Sequence, residues 1–151
     1  MSWTGTRVRG VQRRAGPNAV ARRPRRILVS LELATGAMAL VGGGLLLVAP
    51  DGSLLQADPA ALAGSPFSDY RWPGALLAFF VGGGYLFTGV WQARSGPAAR
   101  VVSVVAGVGL VVFEASELLW LGFQPLEAVF ALVGATVAAV ALLAPSEGEA
   151  A

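Results

Sequence analysis

Four stretches of the chain are apolar almost throughout, and each is about as long as a bilayer is thick. They run over residues 27–49, 73–92, 101–122 and 126–144. An α-helix rises 1.5 Å per residue, so about 20 residues cross a hydrocarbon core of about 30 Å. Inside lipid the backbone must satisfy its own hydrogen bonds, so the Val and Ile content of these runs does not argue for strands. The expected fold is all-α: a four-helix transmembrane bundle over residues 27–144, with a disordered basic tail over 1–26 and a short tail over 145–151.

The polar stretches between the runs carry turn signals. Residues 1–26 show no apolar period and contain Gly16, Pro17 and Pro24, which predicts a disordered arm. The run after Arg26 is longer than the core of a signal peptide, and no small-x-small cleavage pattern follows it cleanly. Pro24 also interrupts the twin-arginine pattern of Arg22-Arg23 and Arg25-Arg26. Residues 50–72 form the one sizeable loop. Pro50-Asp51-Gly52-Ser53 predicts a turn. Asp58-Pro59 predicts a capped short helix, with Gly64 to close it. Leu54, Leu55 and Leu62 are expected to lie on the membrane face. Phe67, Tyr70 and Trp72 are expected to form an interfacial aromatic belt ahead of Pro73. At the second outer turn, Trp120 and Phe123 flank Gly122.

Composition sharpens this picture. Of 151 residues, 55% are hydrophobic and only 13% charged, against about 25% charged in an ordinary soluble domain. The net charge of +2 hides an asymmetry: eight of the eleven basic residues, all Arg, precede Ile27 with no acid among them. Arg94 and Arg100 fall between the second and third runs, on the same side as the tail, while the opposite side has Arg71 alone. The positive-inside rule therefore places both termini in the cytoplasm of a multi-pass plasma-membrane protein. The tail serves first as a topology signal and adds affinity for anionic lipid; a nucleic-acid-binding arm is the alternative, and nucleic acid is not the expected partner. The chain has no Lys, His or Cys. That excludes metal sites built on His or Cys, thiol redox chemistry, disulfides and a Ser-His-Asp triad. No cofactor, metal site or catalytic residue is expected.

Two of the runs share Val-Gly-Gly-Gly, with Gly42, Gly43 and Gly44 in the first and Gly82, Gly83 and Gly84 in the second. Ala39 with Gly43, and Ala78 with Gly82, have the small-xxx-small spacing that lets helix backbones approach. Ala131, Ala135 and Ala139 repeat that spacing in the fourth run. All are read as helix-packing positions. Three adjacent glycines at lipid depth are not a nucleotide-binding fingerprint.

Acids inside lipid are costly and need a reason. Glu32 is an isolated acid about 8 Å into the first span. A structural role rests on the nearby helix N-terminus and on Arg25, seven residues back on the same face. Glu114 and Glu117 share a face of the third run at i,i+3. Two carboxylates that close cannot both ionise cheaply without a cation, and Arg71 is the cation expected to complete a cluster with them. Ser116, Gln124 and Tyr70 are the expected hydrogen-bond donors. The cluster is either a packing device or a proton or cation site. Glu127 lies in the first turn of the fourth run, where the helix dipole favours a carboxylate.

The stretch GGGLLLVAPDGSLLQADPAALAGSPFSDYRWPGALLA, from Gly42 to Ala78, and Glu-Leu-Leu-Trp-Leu-Gly-Phe-Gln-Pro-Leu at 117–126 resemble a group of small, uncharacterised four-span bacterial membrane proteins of actinobacterial type. The resemblance covers most of the chain from the first span onward. It implies the membrane topology and no activity. Small multidrug resistance transporters also have four helices and an acid in the first, as Glu32 would be, but they lack a loop of about twenty residues after that helix. DoxX-like proteins are similar in having four spans and a glycine-rich second helix. Three readings follow. The leading one is a non-enzymatic structural or accessory component of the cell envelope, acting with a membrane-protein partner or as a homo-oligomer. The second is a small proton-coupled or ion-conducting transporter. The third is a membrane enzyme using Glu114 and Glu117 in acid–base chemistry.

Overall fold

The computed structural model describes residues 17–94, 98–121 and 125–144, with the side chains of 17–23 and 120–126 outside that description. Among the described residues the secondary structure is helical throughout, and four long helices carry it. These are α1 (Pro17–Val48), α2 (Arg71–Ala93), α3 (Ala99–Leu121) and α4 (Pro125–Leu143). Three of them contain apolar stretches long enough to cross a membrane: Pro24–Val48, Arg71–Ala93 and Ala99–Leu119. The fourth has 19 residues, or about 28 Å of helix.

The helices differ from the expected spans by one or two residues, with one exception. Helix α1 begins at Pro17, ten residues before the expected start and inside the arm expected to be disordered. Pro17 takes the first helical position, where a missing N–H costs nothing, and the Ala- and Arg-rich stretch after it favours helix. Pro24 sits inside the helix and removes one backbone bond without ending it. Residues 1–16 and 145–151 lie outside the described residues.

Glycine governs how α1 and α2 pack. A Cβ built on Gly43 would stand 2.5 Å from the Gly74 carbonyl oxygen and 2.6 Å from the Ala78 nitrogen, and one on Gly82 would stand 2.9 Å from the Leu40 nitrogen. Those two glycines are packing positions, as the spacing predicts. Gly42, Gly44, Gly83 and Gly84 are not. A Cβ on Gly44 or Gly84 would meet nothing within 4 Å, one on Gly42 would make only an ordinary contact with the Leu77 side chain at 3.8 Å, and one on Gly83 would meet only the Ala78 carbonyl oxygen of its own helix at 4.0 Å. Successive helical residues are turned by about 100°, so one glycine of an adjacent triplet faces the partner helix. Gly36, Gly74 and Gly89 extend the same seam. Helix α3 meets α4 in the same way at Gly107 and Gly134, and a Cβ on Gly107 would lie 2.6 Å from the Gly134 carbonyl oxygen. The inward face of α4 is therefore Gly134, Val137, Ala138 and Ala141, while Ala135 and Ala139 are exposed and Ala131 half-buried. The face is set by the tight Gly107–Gly134 crossing, which outranks the alanine spacing.

Within α2, Leu77–Gly83 adopts π-helical hydrogen bonding. Such a bulge turns the residues after it relative to those before it. It ends on Gly82 and Gly83, the first two glycines of the triplet.

The exterior is apolar where a soluble protein would be polar. Phe79, Phe80 and Leu119 are 70%, 73% and 82% exposed, and Met38, Val41, Val105, Val112 and Leu132 are also exposed. A contiguous apolar exterior on helices of this length is the surface that lipid requires.

The loop between α1 and α2 makes its own small core. Asp58 caps the turn Pro59–Leu62, accepting a 2.8 Å hydrogen bond from the Ala60 N–H, as predicted. That turn ends through Ala63 rather than Gly64. Leu54 and Leu55 are exposed, whereas Leu62 and Tyr70 are buried with Leu46 and flanked by Ala57 and Phe67. The Tyr70 hydroxyl donates to the Asp58 carbonyl at 2.6 Å, and its N–H to the Pro50 carbonyl at 2.8 Å. Tyr70 is thus the anchor of the loop and not a member of an interfacial belt. Trp72 remains exposed.

Candidate functional site

Each hairpin is clasped at the end opposite the loop. Arg25 of α1 donates to the Gln92 carbonyl at 3.0 Å and to the Ala93 carbonyl at 2.7 Å, at the end of α2. Arg100 of α3 donates to the Leu142 carbonyl at the end of α4. These carbonyls lie in the last turns of their helices, where the negative end of the helix dipole favours a cation. The sequence marks Arg25 and Arg100 as topology signals; their second role as clasps needs the hairpin geometry.

Glu32 is completely buried. Helix α1 starts fifteen residues before it, about 22 Å away, so the helix N-terminus gives it no support, since that effect fades within the first turn. Arg25 gives none either, because its guanidinium is engaged at the end of α2. Both supports expected from sequence are absent. The groups around Glu32 come from other helices. Gly89 of α2 packs against it, where a Cβ would stand 3.2 Å from the Glu32 Cβ. The Ser103 hydroxyl of α3 lies beside its carboxyl group, but the pair does not reach hydrogen-bond geometry. Both Glu32 oxygens, the Gln92 Oε1 and the Ser103 Oγ are buried with no hydrogen-bond partner. Sequence reasoning found Glu32 and missed Gln92 and Ser103, which look like ordinary polar residues near helix ends.

Glu114 is buried at 5% exposure, and Glu117 is half-buried. They share a face of α3, as the spacing predicts. Arg71 does not join them: no ion pair or hydrogen bond links it to either acid, its side chain is exposed, and its N–H bonds to Asp69. Nor do the expected donors. The Ser116 hydroxyl bonds to the Phe113 carbonyl and the Tyr70 hydroxyl to Asp58, while the Gln124 side chain lies outside the described residues. The neighbour instead is Glu127, in the first turn of α4. Glu114 and Glu127 line one groove of about 220 Å³ between α3 and α4, with Val111, Ala115, Leu118, Ala128 and Ala131. Among the described residues no three acids come together as a metal site.

A larger cavity of about 480 Å³ lies between α2 and α3. Its lining is almost wholly apolar, including Leu76, Phe80, Val81, Leu110 and Phe113. Neither Glu32 nor Glu114 lines it. Tyr85 does, buried with its hydroxyl 3.2 Å from the Ala106 carbonyl, within electrostatic reach of both acids.

Comparison with protein-family models, characterised proteins and solved structures gives no match to this chain.

Proposed function

We propose that this chain is a four-pass protein of the bacterial plasma membrane, with both termini in the cytoplasm, acting as a non-enzymatic structural or accessory component of the cell envelope. The observation that carries this reading is the separation of the intramembrane acids. Glu32 is sealed among three helices, Glu114 lines a groove between α3 and α4, and the largely apolar cavity between α2 and α3 is lined by neither. A conducting path needs polar groups along its length. An enzyme site needs room for substrate, and the groove at Glu114 is smaller than the roughly 300 Å³ at which ligand pockets begin. The apolar exterior suits lipid and the packing face of a membrane partner or a second copy. The basic tail suits anionic lipid.

Co-purification from native membranes in mild detergent tests this. A stoichiometric membrane-protein partner, or a stable homo-oligomer with no ion flux, is the expected result. A chain that purifies alone and dissipates a pH gradient in liposomes would replace this reading with transport.

A further inference from the structure

The polar layer at Glu32 has more acceptors than donors. Four buried oxygens, two on Glu32 and one each on Gln92 and Ser103, have no hydrogen-bond partner. A carboxylate and an amide oxygen only accept, and the serine hydroxyl supplies a single O–H. Turning the Gln92 amide over would bring a donor to the carboxylate and leave its charge unneutralised. A fully buried, unneutralised carboxylate carries a penalty comparable with the stability of a domain. On its own helix, Arg25 lies two turns back on the same face and clasps α2, and Arg26 is exposed.

Helix geometry brings these oxygens together. Side chains lean towards the N-terminus of their own helix. Helices α1 and α2 are antiparallel, so Glu32 leans towards the arginine-bearing end of the bundle, and Gln92 leans away from it. Gln92 follows Gly89, the residue seated on Glu32, by one turn on the same buried face. Ser103 closes the group from α3. Helix α4 adds the apolar Val137 and Ala141 to the core beside this layer.

We propose that Glu32, Gln92 and Ser103 form an occluded site for a small monovalent cation, a sodium ion or a proton, held between α1, α2 and α3. Either cation neutralises the carboxylate and supplies what the acceptors lack. Sodium does so through direct coordination by hard oxygens. A proton does so as a Glu32 hydroxyl donating to Gln92 while Ser103 donates to the other Glu32 oxygen. The other charged or titratable groups near this end of the helices around it are Arg25 and Arg26 on α1, the first held by carbonyls and the second exposed, Tyr85 on α2, bonded to the Ala106 carbonyl, and Arg100 on α3, bonded to the Leu142 carbonyl. The site goes beyond the proposed envelope role and does not depend on it, since a cation can be bound and never conducted.

Heat unfolding of the full-length protein in detergent is the test, in sodium chloride against choline chloride at equal ionic strength and across pH. A ligand that binds only the folded state raises Tm, by roughly 5–10 °C for a chain of this size at a hundred times the dissociation constant. With sodium as the resident cation, sodium raises the wild-type Tm and Glu32→Gln abolishes the rise. With a proton, sodium does nothing, and the wild-type Tm has a pH dependence that Glu32→Gln removes. Ser103→Ala keeps the carboxylate and is expected to shift the sodium or pH midpoint about tenfold. It decides the matter if Glu32→Gln does not fold. Identical sodium and pH responses in wild type and Glu32→Gln, or an unmoved midpoint in Ser103→Ala, would overturn the site.

Discussion

Gly43 and Gly44 are neighbours in one glycine triplet, and the structure assigns them opposite consequences. A Cβ on Gly43 would stand 2.5 Å from the Gly74 carbonyl oxygen, 2.6 Å from the Ala78 nitrogen and 2.8 Å from the Ala78 Cβ. The first of these is about 0.9 Å inside the 3.4 Å at which ordinary contact begins. Two of the three atoms are backbone, so relief requires α2 to move as a body. Overpacking of this kind costs about 1–3 kcal/mol. Replacing a helical glycine by alanine returns up to about 1 kcal/mol of propensity. Gly43→Ala should therefore lose about 1–2 kcal/mol net, and Gly43→Leu more. Gly44 has nothing within 4 Å of its added Cβ, so Gly44→Ala should be neutral or gain up to about 1 kcal/mol. The pair should differ by roughly 1–3 kcal/mol, or about 2–12 °C in Tm at this size. Thermal unfolding in detergent reads it directly. Equal melting temperatures for the two variants would refute the assigned helix seam.

Four further outcomes are expected. Arg25→Ala should cost about 1–2 kcal/mol, through lost charge-assisted bonds to the Gln92 and Ala93 carbonyls, while Arg94→Ala should not; denaturation in detergent compares them. Arg71→Ala should change stability by no more than about 0.5 kcal/mol, and a large loss in the same assay would restore its pairing with Glu114 or Glu117. The Ser53 hydroxyl and N–H hold the exposed Asp51 carboxyl below its ordinary range. Their contribution is present above the unfolded carboxylate pKa and lost as pH falls through the folded one. Ser53→Ala should move the Asp51 midpoint up in an NMR titration, and an unmoved midpoint would remove the turn as the cause. Reporter fusions should give cytoplasmic activity between Arg94 and Arg100 and at the C-terminus, with external activity between Asp51 and Asp69; a cytoplasmic signal from that loop would reverse the topology.

The helices were legible because lipid-length apolar runs leave little else for the backbone to do. Their ends were legible where proline or a polar cluster stopped the run, as at Pro50 and Pro125. The start of α1 was not, because a charged helical extension outside lipid has no hydropathy signature. The Gly-Gly-Gly triplets announced close packing without saying which glycine packs, since that depends on helix rotation. Rotation is fixed by partners distant in sequence, such as Gly74 and Ala78 for Gly43. The acids were visible individually, and their company was not. Glu114 and Glu117 are paired by spacing alone, whereas Glu127 reaches the same groove only through the α3–α4 crossing. Arg71 is near the acids in a linear account of depth and lies elsewhere once the loop folds on Tyr70.

The clasps give the bundle a repeated logic with a consequence for Glu32. In each hairpin an arginine from the first helix holds the final carbonyls of the second, Arg25 over α2 and Arg100 over α4. In each, glycines bring the two backbones into contact, Gly43 with Gly74 and Gly107 with Gly134. The hairpins are thus internally tight. The boundary between them contains the 480 Å³ cavity, so fewer atoms there contribute dispersion. Glu32 stands on that boundary, seated on Gly89 of its own hairpin and beside Ser103 of the other. Neutralising its charge therefore bears on how the hairpins dock more than on how either folds. A perturbation there should loosen the α2–α3 contact first, and crosslinking between cysteines placed on α2 and α3 would detect that before global unfolding. Crosslinks within either hairpin should persist, because the glycine seams and arginine clasps do not involve the carboxylate.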